Sequence, residues 1–460
     1  MKQFRCLLFC LSTAIIFARA TELPALFQER LKSVAAVEFI VEMEIDRRLA
    51  SVVGTVIDDN GTIILPSGPI QPSVAPSQLK DFKIYRPNSA EAFHAVYLGQ
   101  DALTGWHFVR AEEKLRGQFV PITRYRARRG DPDLGEKMWG IGLRNKEEEF
   151  APYLMAAHVG IVQNLPQRTA IAGSDLAAPG LPVFTMEGEF AGLALNSFGQ
   201  NFLMFSRHQR SEPIMLVNVE ESSAFLLADE VLPCLQRVPQ NVNGRPIAWC
   251  GVYGLQSMEP DVARFLQLEN QSGVVVSDIA EGSPAGKAGL RERDIVLAID
   301  GHPLPRLKPD RIIAGYFGRE ILRRRPGDTL ALTVLRGNER IEIRVTLEDE
   351  PKLVREAERK YFDQLGFAVR EFLYDDSIEN RVRPVESTGL IVHFVKPNSP
   401  AASAGLQPGD WVREIDGQEI NAYATAVAQL AGIGADRSRK EFVLLVSRGG
   451  ETSVLRVQLN

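Results

Sequence analysis

The chain contains one segment twice, at residues 273–304 and 389–420, with every shared position displaced by 116 residues. The shared positions are a leading glycine, a Ser-Pro-Ala triplet, an Ala-Gly-Leu triplet, an aspartate and an Ile-Asp-Gly triplet: Gly273/Gly389, Ser283 to Ala285/Ser399 to Ala401, Ala288 to Leu290/Ala404 to Leu406, Asp294/Asp410 and Ile299 to Gly301/Ile415 to Gly417. Such a repeat predicts two copies of one supersecondary unit, so the C-terminal half should fold as two similar domains.

Each repeated motif has a local structural role. A serine before proline can cap a short helix, because the missing N–H of proline is harmless in the first turn, and the glycine of Ala-Gly-Leu can close that helix in a left-handed conformation. The apolar runs 274–276 and 390–392 predict buried strands, and Asp-Gly predicts a two-residue hairpin turn. Both units are therefore predicted to run strand, turn, short helix, strand, hairpin.

With these motifs in this order, both repeats resemble the circularly permuted PDZ domain of the bacterial HtrA/Deg protease family. The resemblance implies binding of extended or C-terminal peptide segments. Such domains add the peptide as a strand to a sheet edge, while a loop of backbone N–H groups captures its terminal carboxylate.

We place the carboxylate loops upstream of the repeats, at Cys250-Gly251-Val252 and Leu365-Gly366-Phe367. Glycine lets the backbone approach a ligand closely, and its apolar neighbours can wall a pocket for the last side chain. An ordinary strand-opening glycine is the alternative interpretation of each. The second unit is expected to bind more typically, because its loop is closer to the family pattern. A bulky residue at Gly366 should block the ligand and leave the surface loop folded.

The preceding region resembles the trypsin-like domain of the same family. Ser51 to Ile64 is similar to the opening of that domain, Ala95 to Asp101 to the approach to its catalytic aspartate, and Glu187 to Asn196 to the hairpin after its catalytic serine. The implied fold class is mainly β: a chymotrypsin-like double β-barrel followed by two PDZ domains, which are α+β and partly open barrels.

The resemblance does not extend to the catalytic residues. The family histidine, aspartate and serine fall on Gly68, Gly105 and Pro179. Glycine offers no general base and proline no nucleophile, and Pro179 also lacks the N–H that this position gives to an oxyanion hole. The sequence therefore predicts a pseudoprotease with no catalytic residues, which serves as a scaffold, a chaperone or a regulator of proteolysis.

An active enzyme would need substitutes, and the alternative function is a divergent serine endopeptidase in protein quality control. Ser174 is the alternative nucleophile, although Gly173-Ser174-Asp175 is also typical of a turn. His94, His107 and His158 all lie in strand-like segments, where a structural role is the simpler interpretation. No combination of these residues keeps the family order of histidine, aspartate and serine.

The N-terminus has the features of an export signal. Lys2 and Arg5 precede an apolar run over 6–17 and the small-residue site Ala18-Arg19-Ala20, which predicts a signal peptide over 1–20 and a mature start at Thr21. The run is too short to span a bilayer, so we expect an exported protein, periplasmic or extracellular, without a transmembrane segment. Removing its three basic residues changes the formal charge from −5 to −8. An acidic chain does not favour nucleic acid as a partner.

The remaining cysteines, Cys234 and Cys250, are compatible with a disulfide in an oxidising compartment and equally with two separate thiols. If bonded, they would hold the first carboxylate loop shut. The sequence has no C-x-x-C, H-E-x-x-H or clustered histidine motif, so neither a metal nor another cofactor is predicted.

The expected domains are a protease-like domain over 21–232, the first PDZ domain over 247–348, a linker helix over 349–364 and the second PDZ domain over 365–460. Further helices are expected over 21–36 and 222–232. The resemblance also implies that the chain forms a homotrimer or associates with an active homologue. Its expected ligands are unfolded or C-terminal segments of exported proteins.

Overall fold

A computed structural model describes residues 22–66, 68, 70–112, 117–164, 166–195, 202–205, 213–216, 223–308, 310–383 and 388–459. The expected signal peptide and the expected start at Thr21 lie outside these residues. Within them, no helix is both long enough and apolar enough to cross a membrane. The chain forms two closed β-barrels, followed by the two repeat units, here called the first unit and the second unit.

The first barrel follows a short helix, α1 (Leu23–Arg30). Its strands are β1 (Val34–Glu42), β2 (Arg47–Val56), β3 (Thr62–Leu65), β4 (Leu79–Tyr85), β5 (Phe93–Gln100) and β6 (His107–Ala111). They close in the order β1-β2-β3-β6-β5-β4. Because strand side chains alternate between two faces, each strand contributes apolar residues to one interior, among them Phe39, Ile63 and Val109.

The second barrel closes in the order β10-β11-β14-β9-β8-β7. Its strands, with the separate hairpin β12–β13, are β7 (Lys137–Leu143), β8 (Pro152–Asn164), β9 (Arg168–Ala172), β10 (Pro182–Thr185), β11 (Phe190–Ala194), β12 (Phe202–Phe205), β13 (Pro213–Leu216) and β14 (Ser223–Leu227). A further apolar cluster joins the two barrels and includes Trp106, Ile141 and Leu193. A site between the barrels is thus held by a shared core.

Two expected helices are shorter than predicted. The helix expected over 21–36 ends at Arg30, and β1 begins at Val34. The helix expected over 222–232 is mostly strand, because Ser223–Leu227 pairs with both β9 and β11 and only α2 (Ala228–Val231) is helical. In both places pairing with distant strands outweighs local helical spacing.

The first unit contains a central antiparallel sheet and a longer helix, α5. Its elements are β15 (Ala248–Trp249), β16 (Val252–Tyr253), β17 (Gln256–Ser257), α3 (Pro260–Phe265), β18 (Val274–Val275), β19 (Asp278–Ile279), α4 (Pro284–Lys287), β20 (Ile295–Ile299), β21 (His302–Pro303), α5 (Ile312–Leu322), β22 (Thr329–Arg336), β23 (Glu339–Thr346) and β24 (Glu348–Asp349). Helix α5 packs against β15 and β17.

The second unit repeats this plan, with α8 in place of α5. Its elements are β25 (Arg359–Phe362), β26 (Phe367–Glu371), α6 (Tyr374–Glu379), β27 (Leu390–Val395), α7 (Pro400–Ser403), β28 (Trp411–Ile415), β29 (Gln418–Glu419), α8 (Tyr423–Ala435), β30 (Glu441–Arg448) and β31 (Glu451–Gln458). The sheet order is β25-β26-β27-β28-β30-β31.

The local roles predicted for the repeated motifs are confirmed. The hydroxyls of Ser283 and Ser399 accept the N–H three residues further on, at 3.3 and 3.2 Å, and so cap α4 and α7. Gly289 and Gly405 both have φ +84°, the left-handed conformation expected after those helices. Both Asp-Gly pairs have positive φ at each residue, as a tight hairpin turn requires.

The prediction of a linker helix over 349–364 is wrong. This segment contains one 3-10 turn, Val354–Glu356, and then β25, which forms a four-residue ladder with β26. Leu353, Ala357 and Tyr361 do have helical spacing, but the ladder with the next strand, β26, pairs backbone groups that an isolated short helix would not hold. The strand matters for the second peptide groove, as described below.

Candidate functional site

The three positions assigned to a catalytic triad lie in loops beside one crevice between the barrels. Gly68 is exposed after β3, Gly105 lies in the turn between β5 and β6, and Pro179 is exposed in the turn before β10. Their sequence neighbours line one small cavity of about 80 Å³, whose described lining is Ile64, Leu65, Pro66, Thr104, Trp106, Gly180, Leu193, Ala194 and Leu195. None of these lining side chains is a carboxylate, an imidazole or a thiol.

The loops around this cavity pack tightly against each other. A Cβ placed on Gly180 would lie 2.7 Å from Cδ of Pro66, so the turn after Pro179 closes onto the segment before Gly68. The Thr55 hydroxyl donates to the Gly180 carbonyl at 2.7 Å, and the Gly180 N–H donates to the Ala194 carbonyl at 2.8 Å. The Gly180 donor is thus already used within the protein.

Ser174, the alternative nucleophile, is exposed in a turn between β9 and β10. In the described part of the chain its hydroxyl makes no hydrogen bond, to a histidine or to any other residue. The nearby contact to His158 involves only backbone, since the Gly173 N–H donates to the His158 carbonyl at 3.3 Å. His94 and His158 are themselves exposed on β5 and β8.

His107 lies inside the first barrel, away from the crevice. Trp106 and Phe108 on either side of it belong to the cluster between the barrels, so alternation along β6 points His107 the other way. Its Nδ1 is 2.9 Å from the Tyr97 hydroxyl. Burial, with a smaller effect of the Arg355 charge, lowers the pKa of His107 to about 4. Because the His107 side chain is enclosed on the other side of β6, it cannot serve as the base of the crevice.

The first carboxylate loop, Cys250-Gly251-Val252, packs against the capping residue of α4. Gly251 has φ +75°, and a Cβ there would lie 2.2 Å from Cβ of Ser283. The Gly251 carbonyl accepts the Ala280 N–H at 2.9 Å. Gly251 is buried, and no described group accepts its N–H.

The second carboxylate loop, Leu365-Gly366-Phe367, has the same backbone shape. Gly366 has φ +78°, and a Cβ there would lie 2.2 Å from Cβ of Ser399. Its N–H, however, donates to the Phe362 carbonyl at 2.8 Å. The donor expected to bind a ligand is therefore occupied by the protein itself. The expectation that a bulky residue at Gly366 leaves the domain folded does not fit this packing.

Sequence reasoning missed the residues that support these loops. Ser283 and Ser399 are predicted to be helix caps, but no local pattern indicates that the same serines touch the loop glycines. The similar spacing, 32 residues from Gly251 to Ser283 and 33 from Gly366 to Ser399, is the signal that could have suggested this contact.

The two cysteines are separate thiols. Cys234 and Cys250 are both free and buried, so no disulfide holds the first loop shut. Burial raises the pKa of Cys250 to about 11 and also raises the pKa of Cys234. Both therefore remain protonated near neutral pH, which makes them poor nucleophiles. Among the described residues, no group of three or more histidine, cysteine or acidic side chains could hold a metal ion.

Comparison with known proteins finds two domain matches and several relatives of similar sequence. Residues 261–347 and 391–448 each match the PDZ domain family. A probable periplasmic serine endoprotease, DegP-like, of Chlamydia pneumoniae is 28% identical over 224 residues, which cover 49% of this chain and 42% of that protein. The protein of the same description from Brucella suis is 27% identical over 277 residues, 60% of this chain and 48% of that one. The chain thus spans less than half the length of these relatives.

Among solved structures, a variant of the HtrA-type protease AlgW with a decapeptide superimposes with a TM-score of 0.51 at 14% identity, covering 71% of this chain and 97% of that one. AlgW itself with a decapeptide gives a TM-score of 0.50 at 15% identity, covering 71% and 98%. At this identity the likeness concerns the fold. The predicted double barrel and the predicted pair of PDZ domains are confirmed.

Proposed function

We propose that this chain, which belongs to the HtrA/DegP-like family and combines a trypsin-like double barrel with two PDZ domains, binds peptide segments of exported proteins without cleaving them. The observation that supports the absence of cleavage is the crevice between the barrels, whose described lining offers no nucleophile–base pair. The barrels then act as a rigid support for the peptide-binding units.

The crevice residues argue against acyl transfer on chemical grounds. A serine protease needs a hydroxyl, a base to deprotonate it and N–H groups that stabilise the oxyanion. Pro179 supplies neither hydroxyl nor N–H, and losing one oxyanion donor alone costs about 10²–10³ in rate. His107 is enclosed in the first barrel and cannot replace the missing base at Gly68.

The first unit carries the peptide site that no strand of the protein occupies. Within the described residues, β16 has a single strand partner, β19, and the Gly251 N–H has no acceptor. A C-terminal peptide added to the free edge of β16 and β17 would bring its carboxylate to Gly251, with Cys250 and Val252 beside it. Since α5 now packs against β17, an entering strand must move α5 outward.

The relatives are named periplasmic endoproteases, which supports an exported location for this chain as well. The ligands that fit this proposal are unfolded or C-terminal segments of other exported proteins. A protein that holds such segments without cleaving them would act as a scaffold, a chaperone or a regulator of an active homologue, either as a homotrimer or within a mixed assembly.

The catalytic half of the proposal is tested with an activity-based probe. The full mature chain should neither hydrolyse casein nor react with a fluorophosphonate, because only an activated serine is labelled. An active family protease serves as the positive control. Labelling or hydrolysis that disappears in Ser174→Ala would contradict the proposal and establish the divergent endopeptidase instead.

The peptide-binding half is tested with a matched pair of ligands. A pool of synthetic decapeptides with apolar last residues should bind the full chain, and the same pool with C-terminal amides should bind about tenfold to a hundredfold more weakly, because the charge-assisted bonds at Gly251 are lost. Fluorescence anisotropy measures both affinities. Equal affinities for acid and amide would show that Gly251 does not hold a carboxylate.

A further inference from the structure

The groove of the second unit contains a segment of the protein itself. In a PDZ domain, a peptide binds antiparallel to the strand after the carboxylate loop, between that strand and the longer helix. Here β26 is that strand and α8 is that helix. One edge of β26 pairs with β27, and β25 pairs antiparallel with the other edge and packs against α8. The strand β25 therefore lies where a bound peptide would lie.

The C-terminal end of β25 meets the carboxylate loop as the end of a ligand would. Phe362 pairs with Phe367, and its carbonyl accepts the Gly366 N–H at 2.8 Å. The Phe362 side chain is only 5% exposed and belongs to the same apolar cluster as Leu430 and Ile433 of α8. The pocket for a last side chain is thus filled by this ring.

The first unit has no equivalent strand. The four residues that correspond to β25, counted back from Gly251, are Gly-Arg-Pro-Ile at 244–247. Pro246 has no N–H to give to a ladder, and both glycine and proline are unfavourable inside strands. Residues 248–249 pair instead with β24, next to α5. The two units therefore differ in whether the preceding chain can enter the groove.

The N-terminal end of β25 is anchored to the first barrel. The Arg359 guanidinium donates to Oε1 of Gln78 at 3.0 Å and to the Ser73 carbonyl at 3.2 Å. It also donates to the Val354 carbonyl at 2.8 Å. The strand is thus held at both ends, by Phe362 in the groove and by Arg359 at the barrel.

We infer that β25 acts as an internal ligand, which keeps the second groove closed to free peptides while Arg359 keeps the strand docked on the first barrel. The sequence of the strand defines the ligand class that this groove accepts: a peptide ending in phenylalanine, as in Glu-Arg-Lys-Tyr-Phe at 358–362. The inference does not depend on peptide binding by the first unit. The expectation that the second unit binds more typically than the first does not fit this inference.

The test uses the full mature chain and the pentapeptide Glu-Arg-Lys-Tyr-Phe, with a free carboxylate and an N-terminal photo-crosslinking group. Mass spectrometry locates the crosslinks, so labelling near β26 and α8 is separated from labelling near β16 and α5. We expect no second-groove labelling in the wild type. Phe362→Ala should raise the peptide affinity of the second groove at least about tenfold, because the internal strand loses its buried ring.

The matched control is Tyr361→Ala, in which the altered side chain lies on the other face of β25, against Phe394. It should leave the groove closed. Arg359→Ala is the second opening variant, since it removes the contacts with the first barrel and keeps the Phe362 ring, and it should produce second-groove labelling even if Phe362→Ala does not fold. Second-groove labelling of the wild type would overturn the inference. So would the absence of second-groove labelling in both Arg359→Ala and a folded Phe362→Ala.

Discussion

Replacing Gly366 with valine is expected to unfold the second unit rather than only to weaken a ligand. The position has φ +78°, which a β-branched residue rarely adopts, and a Cβ would lie 2.2 Å from Cβ of Ser399, the cap of α7. Backbone strain and overpacking together should cost roughly 4 kcal/mol or more, a large part of the stability of a small domain. Hydrogen exchange of β27 and β28 in the full chain measures this loss.

Gly405→Ala provides the matched control. Gly405 has a similar φ, +84°, in the same unit, but no atom lies within 4 Å of a Cβ placed on it. This variant should lower the free energy of unfolding only by the cost of a left-handed backbone at a residue with a Cβ, about 1–2 kcal/mol. Equal destabilisation by the two variants would mean that contact with Ser399 plays no part, and unchanged exchange in Gly366→Val would show that the loop moves freely.

The second large effect is expected for Asp410→Ala. This carboxylate is fully buried and accepts two bonds from the Arg448 guanidinium, at 2.5 and 2.7 Å, and the Gln407 N–H at 2.9 Å. Removing it leaves the Gln407 N–H and the Arg448 guanidinium without this acceptor and separates β30 from the turn before β28. Because the Arg448 side chain is partly exposed and can rehydrate, we expect a loss of about 2–4 kcal/mol.

Urea unfolding, monitored by hydrogen exchange of β28 and β30, measures the effect of Asp410→Ala. The control is Asp363→Ala, whose exposed ion pair with Lys396 at 3.2 Å should contribute nothing measurable. The repeat makes a second check available, because Asp294 of the first unit accepts two bonds from Arg336, at 2.8 and 2.7 Å, and the Arg291 N–H at 2.8 Å. Wild-type stability of Asp410→Ala would show that the pair is not structural.

The repeated aspartate shows how much of an interaction a sequence motif can predict. Its recurrence 116 residues apart indicates a common role, and the spacing places it before a buried strand in both units. The arginine that it binds lies 42 residues away in the first unit and 38 in the second. No local pattern identifies that partner, because strands β22 and β30 reach it only after the sheet has formed.

The catalytic positions could be predicted from the sequence only in part. Counting along the family pattern assigned them to Gly68, Gly105 and Pro179, and the structure puts the neighbours of all three around one cavity. The packing that fills this crevice, Gly180 against Pro66, depends on two loops from different barrels. It could not be predicted from either loop alone.

The sequence by itself determined the features that depend on a few neighbouring residues. Serine caps, left-handed glycines and Asp-Gly turns follow from steric and hydrogen-bonding preferences within four residues, so both copies could be predicted and both formed. The tertiary structure decided whether a strand of the protein itself lies in each groove. Residues 359–362 have an unremarkable sequence with helical spacing nearby, and they became a strand only because β26 and α8 offered a free edge and an apolar pocket. The contact between this strand and α8 joins parts of the chain that are distant in sequence, so it depends on which surfaces meet in the folded chain, and local sequence preferences do not contain that information.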